Sequence, residues 1–148
     1  MFTTDEKELR KACKPSEIRE GGIIGERLLE ILAKTNDGVG LAANQVGINR
    51  RVCVINVDRP IILINPRIVG KFGKSYFQEG CLSFPGKVVV TERWTNIAVA
   101  CDGSKNHMFP FEKNPLECVC VQHEIDHLNG VTMFDRAIKD LEVKSGKK

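Results

Sequence analysis

The chain has 148 residues, of which 42% are hydrophobic and 28% charged, and its net charge is +3. This length suits a single domain over residues 1–148, and the composition is that of a globular protein. No apolar run approaches the roughly 20 residues of a membrane helix, and the polar start Met1–Glu8 is unlike an export signal. We therefore expect a cytoplasmic protein without a membrane contact.

The distribution of charge and the number of cysteines argue against a specific nucleic-acid site and against disulfide bonds. Lysine residues collect in a short tail at about 139–148, and such a charge run predicts a solvated end rather than a specific nucleic-acid site. The even number of six cysteines would permit disulfides. A chain of this size that lacks an export signal does not need them, so we expect reduced thiols.

The first third of the chain predicts one helix followed by a close turn. Residues 1–16 are polar and predict an extended lead-in. Apolar residues with helical spacing over 23–32 predict a helix, whose first turn Gly21 and Gly22 should interrupt. The small residues of 38–47 then describe a stretch where the backbone passes close to another group.

The middle of the chain predicts strands separated by glycine and proline. A loop at 79–86 is fixed by two glycines and a proline, and it holds Cys81. Residues 131–138 close the pattern as a strand or a loop. The predicted strands are residues 51–57, 61–64, 67–72, 87–91, 95–101 and 107–111. The sequence thus predicts an α+β fold in which short, mostly antiparallel β-sheets pack around a central helix.

That central helix is predicted over 115–128, and it carries the pattern H-E-x-x-H. Asn114 is a suitable N-cap and Pro115 fits the first helical position. His123 and His127 lie one turn apart, so both imidazoles can reach one metal ion. Glu124 is placed to take a proton from water at that ion. The alternative is a helix with two hydrogen-bonded core histidines.

Two cysteines could complete the metal site. Downstream of the helix the ligand position of one zinc-protease pattern is Met133, and Glu142 lies in the lysine-rich end. Cys120 shares the helix face of the histidines, but three ligands from two turns of one helix cannot easily surround a tetrahedral ion. Geometry therefore favours Cys81, and it leaves Cys120 open.

Three segments together resemble the signature motifs of the peptide deformylases. They are Gly38-Val-Gly-Leu-Ala-Ala-Asn-Gln45, Glu79-Gly-Cys-Leu-Ser83 and Gln122-His-Glu-Ile-Asp-His-Leu128. The resemblance runs from about Glu8 to about Asp135, and the compact chain is similar to the minimal deformylases of phages or small genomes. It implies that Cys81 is the third ligand, beside His123 and His127.

The resemblance also implies an activity, namely removal of the N-formyl group from the formylmethionine of newly made polypeptides, with release of formate. Water activated by the metal would attack the formyl carbon, with Glu124 as general base and then acid. Gln45 and the backbone N–H of Leu82 would stabilise the oxyanion. Six residues match positions that border the methionine pocket or hold the substrate backbone: Val39, Gly40, Glu79, Leu116, Val119 and Cys120.

The resemblance implies Fe²⁺ in the cell, with Zn²⁺, Ni²⁺ or Co²⁺ able to occupy the same ligands. We expect a monomer that meets the ribosome transiently. We expect Asp126 to orient a histidine or to cap a neighbouring segment rather than to bind the metal. Two other classes remain as alternatives. One is a zinc peptidase, which lacks a downstream ligand here. The other is a metal-stapled binding module, which would not need Glu124 or Gln45.

Overall fold

The computed structural model of the protein describes residues 2–144, and its strands form an antiparallel sheet. The described helices are α1 (Glu6–Leu9), α2 (Ile18–Ala33) and α3 (Pro115–Leu128). The strands are β1 (Gly40–Ala42), β2 (Val52–Asn56), β3 (Pro60–Glu79), β4 (Lys87–Asp102), β5 (His107–Pro110) and β6 (Ala137–Lys144). Neighbouring strands follow the order β1-β2-β3-β4-β5 across the sheet, and β6 also pairs with β4. The α+β prediction is therefore confirmed.

Helices α2 and α3 pack on opposite faces of the sheet. In β2, Val52 and Val54 belong to the cluster beneath α2, whereas Cys53 and Ile55 belong to the cluster beneath α3. Successive side chains of a strand point to opposite faces, so β2 must be apolar at each of these positions to be covered on both sides. Helix α3 thereby lies against the centre of the sheet.

Helix α3 begins where its local sequence predicts. The side chain of Asn114 accepts a hydrogen bond from the backbone N–H of Glu117 at 3.1 Å, and Pro115 occupies the first turn. All residues from Glu117 to Leu128 are buried. The histidines therefore sit inside the protein, held on a helix whose position is fixed on all sides.

The predicted interruption of α2 is wrong, because the helix runs unbroken from Ile18 to Ala33. Two of its glycines let it approach the sheet closely. A Cβ built on Gly21 would lie 2.8 Å from Ile64, and one on Gly25 would lie 2.4 Å from Ile62. Close packing against β3 accounts for these glycines, and it outweighs their low helix propensity.

Strands β3 and β4 are longer than predicted, since each joins two predicted strands. The sequence Asn65-Pro66 predicts a break, yet β3 continues through it with a register shift. Asn65 has φ = 51°, and its side-chain oxygen accepts a hydrogen bond from the Ser16 backbone N–H. Its side-chain nitrogen donates to the Ser16 carbonyl oxygen and to the Asp102 carboxylate. These bonds hold the bend, so pairing with β4 resumes on the far side.

The two ends of the chain also differ from prediction. Within the predicted extended lead-in, Glu6–Leu9 form a short helix that Asp5 caps and whose Leu9 is fully buried. Residues 131–138 contain the 3₁₀ turn Met133–Arg136 and the start of β6. Of the predicted lysine-rich tail at 139–148, the backbone is strand as far as Lys144, and residues 145–148 lie outside the described residues. Among described helices, none is both long and apolar enough to cross a bilayer.

Candidate metal centre

Three side chains from two parts of the fold converge beside α3. Cys81 lies in the turn between β3 and β4, and His123 and His127 lie on α3. One potential ligand atom from each of the three lies within 4.8 Å of the others, and Cys81 Sγ is 3.3 Å from His127 Nε2. Within residues 2–138 no other group of three such side chains converges. Cys120 lies outside this cluster, although it shares the helix face.

The chemistry of this donor set suits a divalent transition-metal ion. A thiolate and two imidazoles are ligands that zinc, iron, nickel and cobalt accept, and three protein ligands leave a further coordination position open. Burial lowers the pKa of His127 well below its ordinary value, which favours the neutral ring that a metal ion binds. The residues present therefore fit one metal ion.

Glu79 orients the first histidine. Its Oε1 lies 2.9 Å from Nδ1 of His123, so the far nitrogen of the ring is left for the metal. Although burial alone would raise the pKa of Glu79, hydrogen bonds from Arg93 and His123 lower it to about 2. The carboxylate is therefore ionised, and His123 donates its Nδ1 proton to it.

Glu79 in turn belongs to a buried network of charges. Arg93 donates from Nε and Nη2 to its two oxygens at 2.5 and 2.8 Å, and the Thr91 hydroxyl donates to Oε2. The remaining nitrogen of Arg93, Nη1, lies 2.7 Å from Asp126. Asp126 also accepts two hydrogen bonds from Arg136. Each buried charge is thus compensated by an opposite one.

Glu124 differs from Glu79 because one of its oxygens has no partner. The side chain is buried, and its Oε1 makes no hydrogen bond to any described residue. Burial raises the pKa of this carboxyl to about 7. A carboxyl group with such a pKa can both accept and release a proton near neutral pH.

Gln45 is fixed at the other side of the cluster. Its Oε1 accepts a hydrogen bond from the Ala42 backbone N–H at 2.9 Å, which defines the orientation of the amide. Its Nε2 donates to Ser83 Oγ at 3.1 Å and lies 3.7 Å from Cys81 Sγ. The amide N–H groups therefore face the metal cluster.

The site opens into a cavity of about 580 Å³. Cys81, Leu82, Gln45, His123 and Glu124 line it, whereas His127 lies behind them. All residues predicted to bind substrate line the same cavity: Val39, Gly40, Glu79, Leu116, Val119 and Cys120. Leu116 is 40% exposed, which places it at the rim rather than in the core.

Sequence reasoning missed several residues of the site. Phe77 and Val88 line the cavity, and Ser83 holds the Gln45 amide. Thr91 and Arg93 were also missed, although a signal for them exists. Val89, Thr91 and Arg93 are two residues apart along β4, so their side chains point to the same face of the sheet. Because valine predicts that this face is buried, an arginine on it requires a carboxylate partner.

Four cysteines lie outside the metal cluster and the cavity: Cys13, Cys53, Cys101 and Cys118. Together with Cys81 and Cys120 they are all free thiols, as predicted. Burial raises the pKa of Cys53 and Cys120 well above the ordinary thiol value, and it raises that of Cys118 to about 11. These thiols are therefore protonated, and a protonated thiol is a poor metal ligand.

Comparison with known proteins agrees with this geometry. The family model of polypeptide deformylase matches residues 1–143. A peptide deformylase from Thermoanaerobacter pseudethanolicus is 42% identical over 138 residues, which cover 90% of this chain and 86% of that protein. The crystal structure of peptide deformylase from Thermotoga maritima superposes with a TM-score of 0.82 at 34% identity, covering 93% of this chain and 96% of that one.

A probable peptide deformylase from Synechococcus phage S-SSM7 is similar in extent as well as in fold. It has a TM-score of 0.81 at 33% identity, and the superposition covers 92% of this chain and 98% of the phage chain. The matched residues include all three segments that form the metal cluster and its cavity, because the family model spans nearly the whole described chain. The chain therefore belongs to the polypeptide deformylase family.

Proposed function

We propose that this chain is a metal-dependent peptide deformylase, which hydrolyses the N-formyl group of formylmethionyl polypeptides to formate and a free amine. The observation that carries this proposal is the arrangement at the base of the cavity. Cys81, His123 and the unpartnered carboxylate of Glu124 line the cavity, and His127 completes the donor set from behind. A site that only held a metal for stability would have no need of an unsatisfied buried carboxylate.

Cys81, His123 and His127 would hold the ion. When bound there, a divalent metal lowers the pKa of water and polarises a carbonyl oxygen. Fe²⁺ is the ion we propose for the cell, and Zn²⁺, Ni²⁺ and Co²⁺ suit the same thiolate and imidazole ligands.

Glu124 is the proposed general base and acid. Its free Oε1 can accept a proton from the attacking water and return it to the departing amine. The carboxylate is kept in place by its surroundings, since it packs against Gly40, where a side chain would collide with it. Proton transfer needs a base within hydrogen-bond reach, and a side chain held in this way keeps a fixed position at the cavity wall.

Gln45 and Leu82 are the proposed oxyanion donors. The Gln45 amide cannot rotate freely, because its oxygen is bonded to the backbone at Ala42 and its nitrogen to Ser83. Such a preorganised N–H can stabilise charge on the formyl oxygen without reorganising during the reaction. The backbone N–H of Leu82, next to Cys81, is the second donor.

The remaining cavity suits an apolar first residue. Val39, Val119 and Cys120 line it together with the rim residue Leu116. Glu79 also lines the cavity, but its charge is already compensated by Arg93 and His123. Among these apolar side chains a charged first residue would be buried at a cost in free energy, whereas the unbranched side chain of methionine can fill the space.

The cellular setting follows from the substrate. Formylated polypeptides are presented by ribosomes, so we propose a cytoplasmic enzyme that meets the ribosome transiently. We also propose that it acts as a monomer. A membrane or a nucleic-acid site has no part in the proposal.

A single assay separates this function from its alternatives. Formate release from formyl-Met-Ala-Ser is measured with the metal-loaded protein and with Glu124→Gln, which keeps the shape of the side chain but removes the base. We expect turnover by the wild type and a loss of most of kcat in the variant, with the metal retained. Cleavage of an unformylated peptide would identify a peptidase. Retained metal without formate release would identify a binding module.

A further inference from the structure

A chain of hydrogen bonds joins Asp126 to the ligand His123 without a direct contact between them. Asp126 accepts from Arg93 Nη1 at 2.7 Å, Arg93 donates to both oxygens of Glu79, and Glu79 accepts from His123 Nδ1. Asp126 and His123 are three residues apart on α3, whereas Arg93 and Glu79 belong to β4 and β3. The chain therefore leaves the helix, crosses two strands and returns to it.

The orientation of Glu79 depends on Arg93. A glutamate side chain has several rotatable bonds, and two parallel N–H···O bonds from one guanidinium fix both its position and its plane. The Thr91 hydroxyl adds a third bond from the same strand. With these bonds in place, Oε1 remains aligned with the His123 ring, which is the bond that selects the ring's metal-binding nitrogen.

The orientation of Arg93 depends in turn on Asp126. The guanidinium is only 3% exposed, so water cannot supply the missing bonds of its Nη1 edge. Asp126 binds that edge, and its other oxygen is held from the surface side by Arg136 Nη2 at 2.9 Å. Asp126 thus prevents Arg93 from turning away from Glu79, and the two arginines balance the two carboxylates.

We propose that Asp126 and Arg93 are positioning residues for the metal ligand His123, and that both act through Glu79. This inference rests on the proposed function, since it assumes that His123 binds the metal. It gives Asp126 a role that differs from direct orientation of a histidine. Both carboxylate oxygens of Asp126 accept hydrogen bonds from arginines. Asp126 therefore influences His123 indirectly, through Arg93 and Glu79.

The test measures metal affinity rather than activity. The holoenzyme is prepared with Zn²⁺ and with Co²⁺, and the dissociation constant is obtained by competition with a chelator. The visible absorption of the Co²⁺ form reports ligand geometry independently. The variants are Glu79→Gln, Arg93→Lys and Asp126→Asn, with Arg136→Gln as the matched control. Arg136 binds the same carboxylate from the outside and has no contact with Glu79.

We expect Arg93→Lys and Asp126→Asn to weaken metal binding by roughly 10- to 100-fold, as is typical when a partner that orients a ligand is lost. The Co²⁺ spectrum should shift in both. Arg136→Gln should change the dissociation constant by no more than about threefold, because its side chain is about half exposed. If Arg93→Lys fails to fold, Thr91→Val tests Glu79 from the same strand and should weaken binding severalfold.

A double variant distinguishes positioning from a general loss of stability. If Asp126 acts only through Glu79, the double variant Asp126→Asn/Glu79→Gln should bind metal about as well as Glu79→Gln alone. The idea is overturned if the two losses multiply, or if the buried variants melt earlier but keep the wild-type affinity and Co²⁺ spectrum. An equal effect of Arg136→Gln would also overturn it. These results do not depend on formate release, so a failure of the proposed function remains separate.

Discussion

Replacing Gly40 by alanine is the sharpest test of how the backbone shapes the catalytic centre. A Cβ atom at this position would lie 2.5 Å from Cys120 Sγ and 2.8 Å from Glu124 Oε2. Both neighbours are almost completely buried. Strand β1 cannot retreat, since Gly40 pairs with Ile55 of β2. The added methyl group must therefore displace the side chain of Glu124, of Cys120, or of both.

The size of the effect follows from these distances. An ordinary contact of a Cβ atom is at 3.4 to 4 Å, so the displacement required is about 1 Å, which can cost on the order of a hundredfold in rate when it moves a reacting group. Overpacking a buried site costs about 1–3 kcal/mol of unfolding free energy. A melting temperature roughly 5 °C lower would correspond to this cost in a chain of this length.

The assay compares kcat, KM, metal content and thermal unfolding for Gly40→Ala and for Gly22→Ala. Gly22 is the matched control, because a Cβ there would meet nothing within 4 Å. Since Gly22 lies inside helix α2, alanine should stabilise the protein by up to about 1 kcal/mol and leave kcat unchanged. Gly40→Ala should retain its metal, because neither Glu124 nor Cys120 belongs to the ligand cluster.

Two outcomes would refute this reasoning. Wild-type kcat and melting temperature in Gly40→Ala would mean that the backbone of β1 is not held against α3. Loss of the metal with an unchanged fold would mean that the methyl group disturbs the ligands instead of the carboxylate. A fall in kcat with the metal retained would support the view that the close approach of Gly40 to Glu124 positions the carboxylate.

Three further predictions concern single side chains. Cys81→Ser should greatly reduce metal retention in elemental analysis, whereas Cys120→Ser should hold about one metal per chain. The reverse pattern would identify Cys120 of α3 as the third ligand. Gln45→Leu should lower kcat on the order of a hundredfold in steady-state assays, the usual cost of one oxyanion donor, and an unchanged kcat would remove that role. Val119→Phe should raise KM for formylmethionyl peptides with normal metal content, and an unchanged KM would place the methionine pocket elsewhere.

The sequence predicted the fold best where structure is decided locally. The start of α3 depends on Asn114 and Pro115, and these caps act within one turn of the helix. The break predicted at Asn65-Pro66 failed because the side-chain bonds of Asn65 to Ser16 and Asp102 bridge it. Neither partner is close in sequence, so no local pattern could show that the strand continues.

The site shows the same division between local and long-range information. The spacing of His123, Glu124 and His127 is a property of one helix, and it can be read directly from the sequence. Arg93 is different. Its alternation with Val89 predicts that it points inward, but no spacing identifies Glu79 as its partner. The two side chains meet because β4 pairs with β3 in the folded sheet. The pairing of distant strands therefore determines this contact, and residue spacing along the chain cannot predict it.

Helix α3 explains why hydropathy was a weak guide to this protein. Helical spacing predicted one inward face, but nearly the whole helix is buried, so polar residues on its other sides must also find partners. Gln122, for example, bonds both backbone groups of Trp94.

Three buried polar side-chain atoms of α3 have no partner among the described residues: Glu117 Oε2, Glu124 Oε1 and His127 Nδ1. Two of these atoms belong to the proposed catalytic centre, and the side chain of Glu124 lies against Gly40, where a Cβ atom would collide with it. Packing alone would favour apolar side chains at such positions, because an unsatisfied buried polar atom costs stability. The presence of Glu124 and His127 in one centre is the pattern expected where selection for chemistry has outweighed selection for stability.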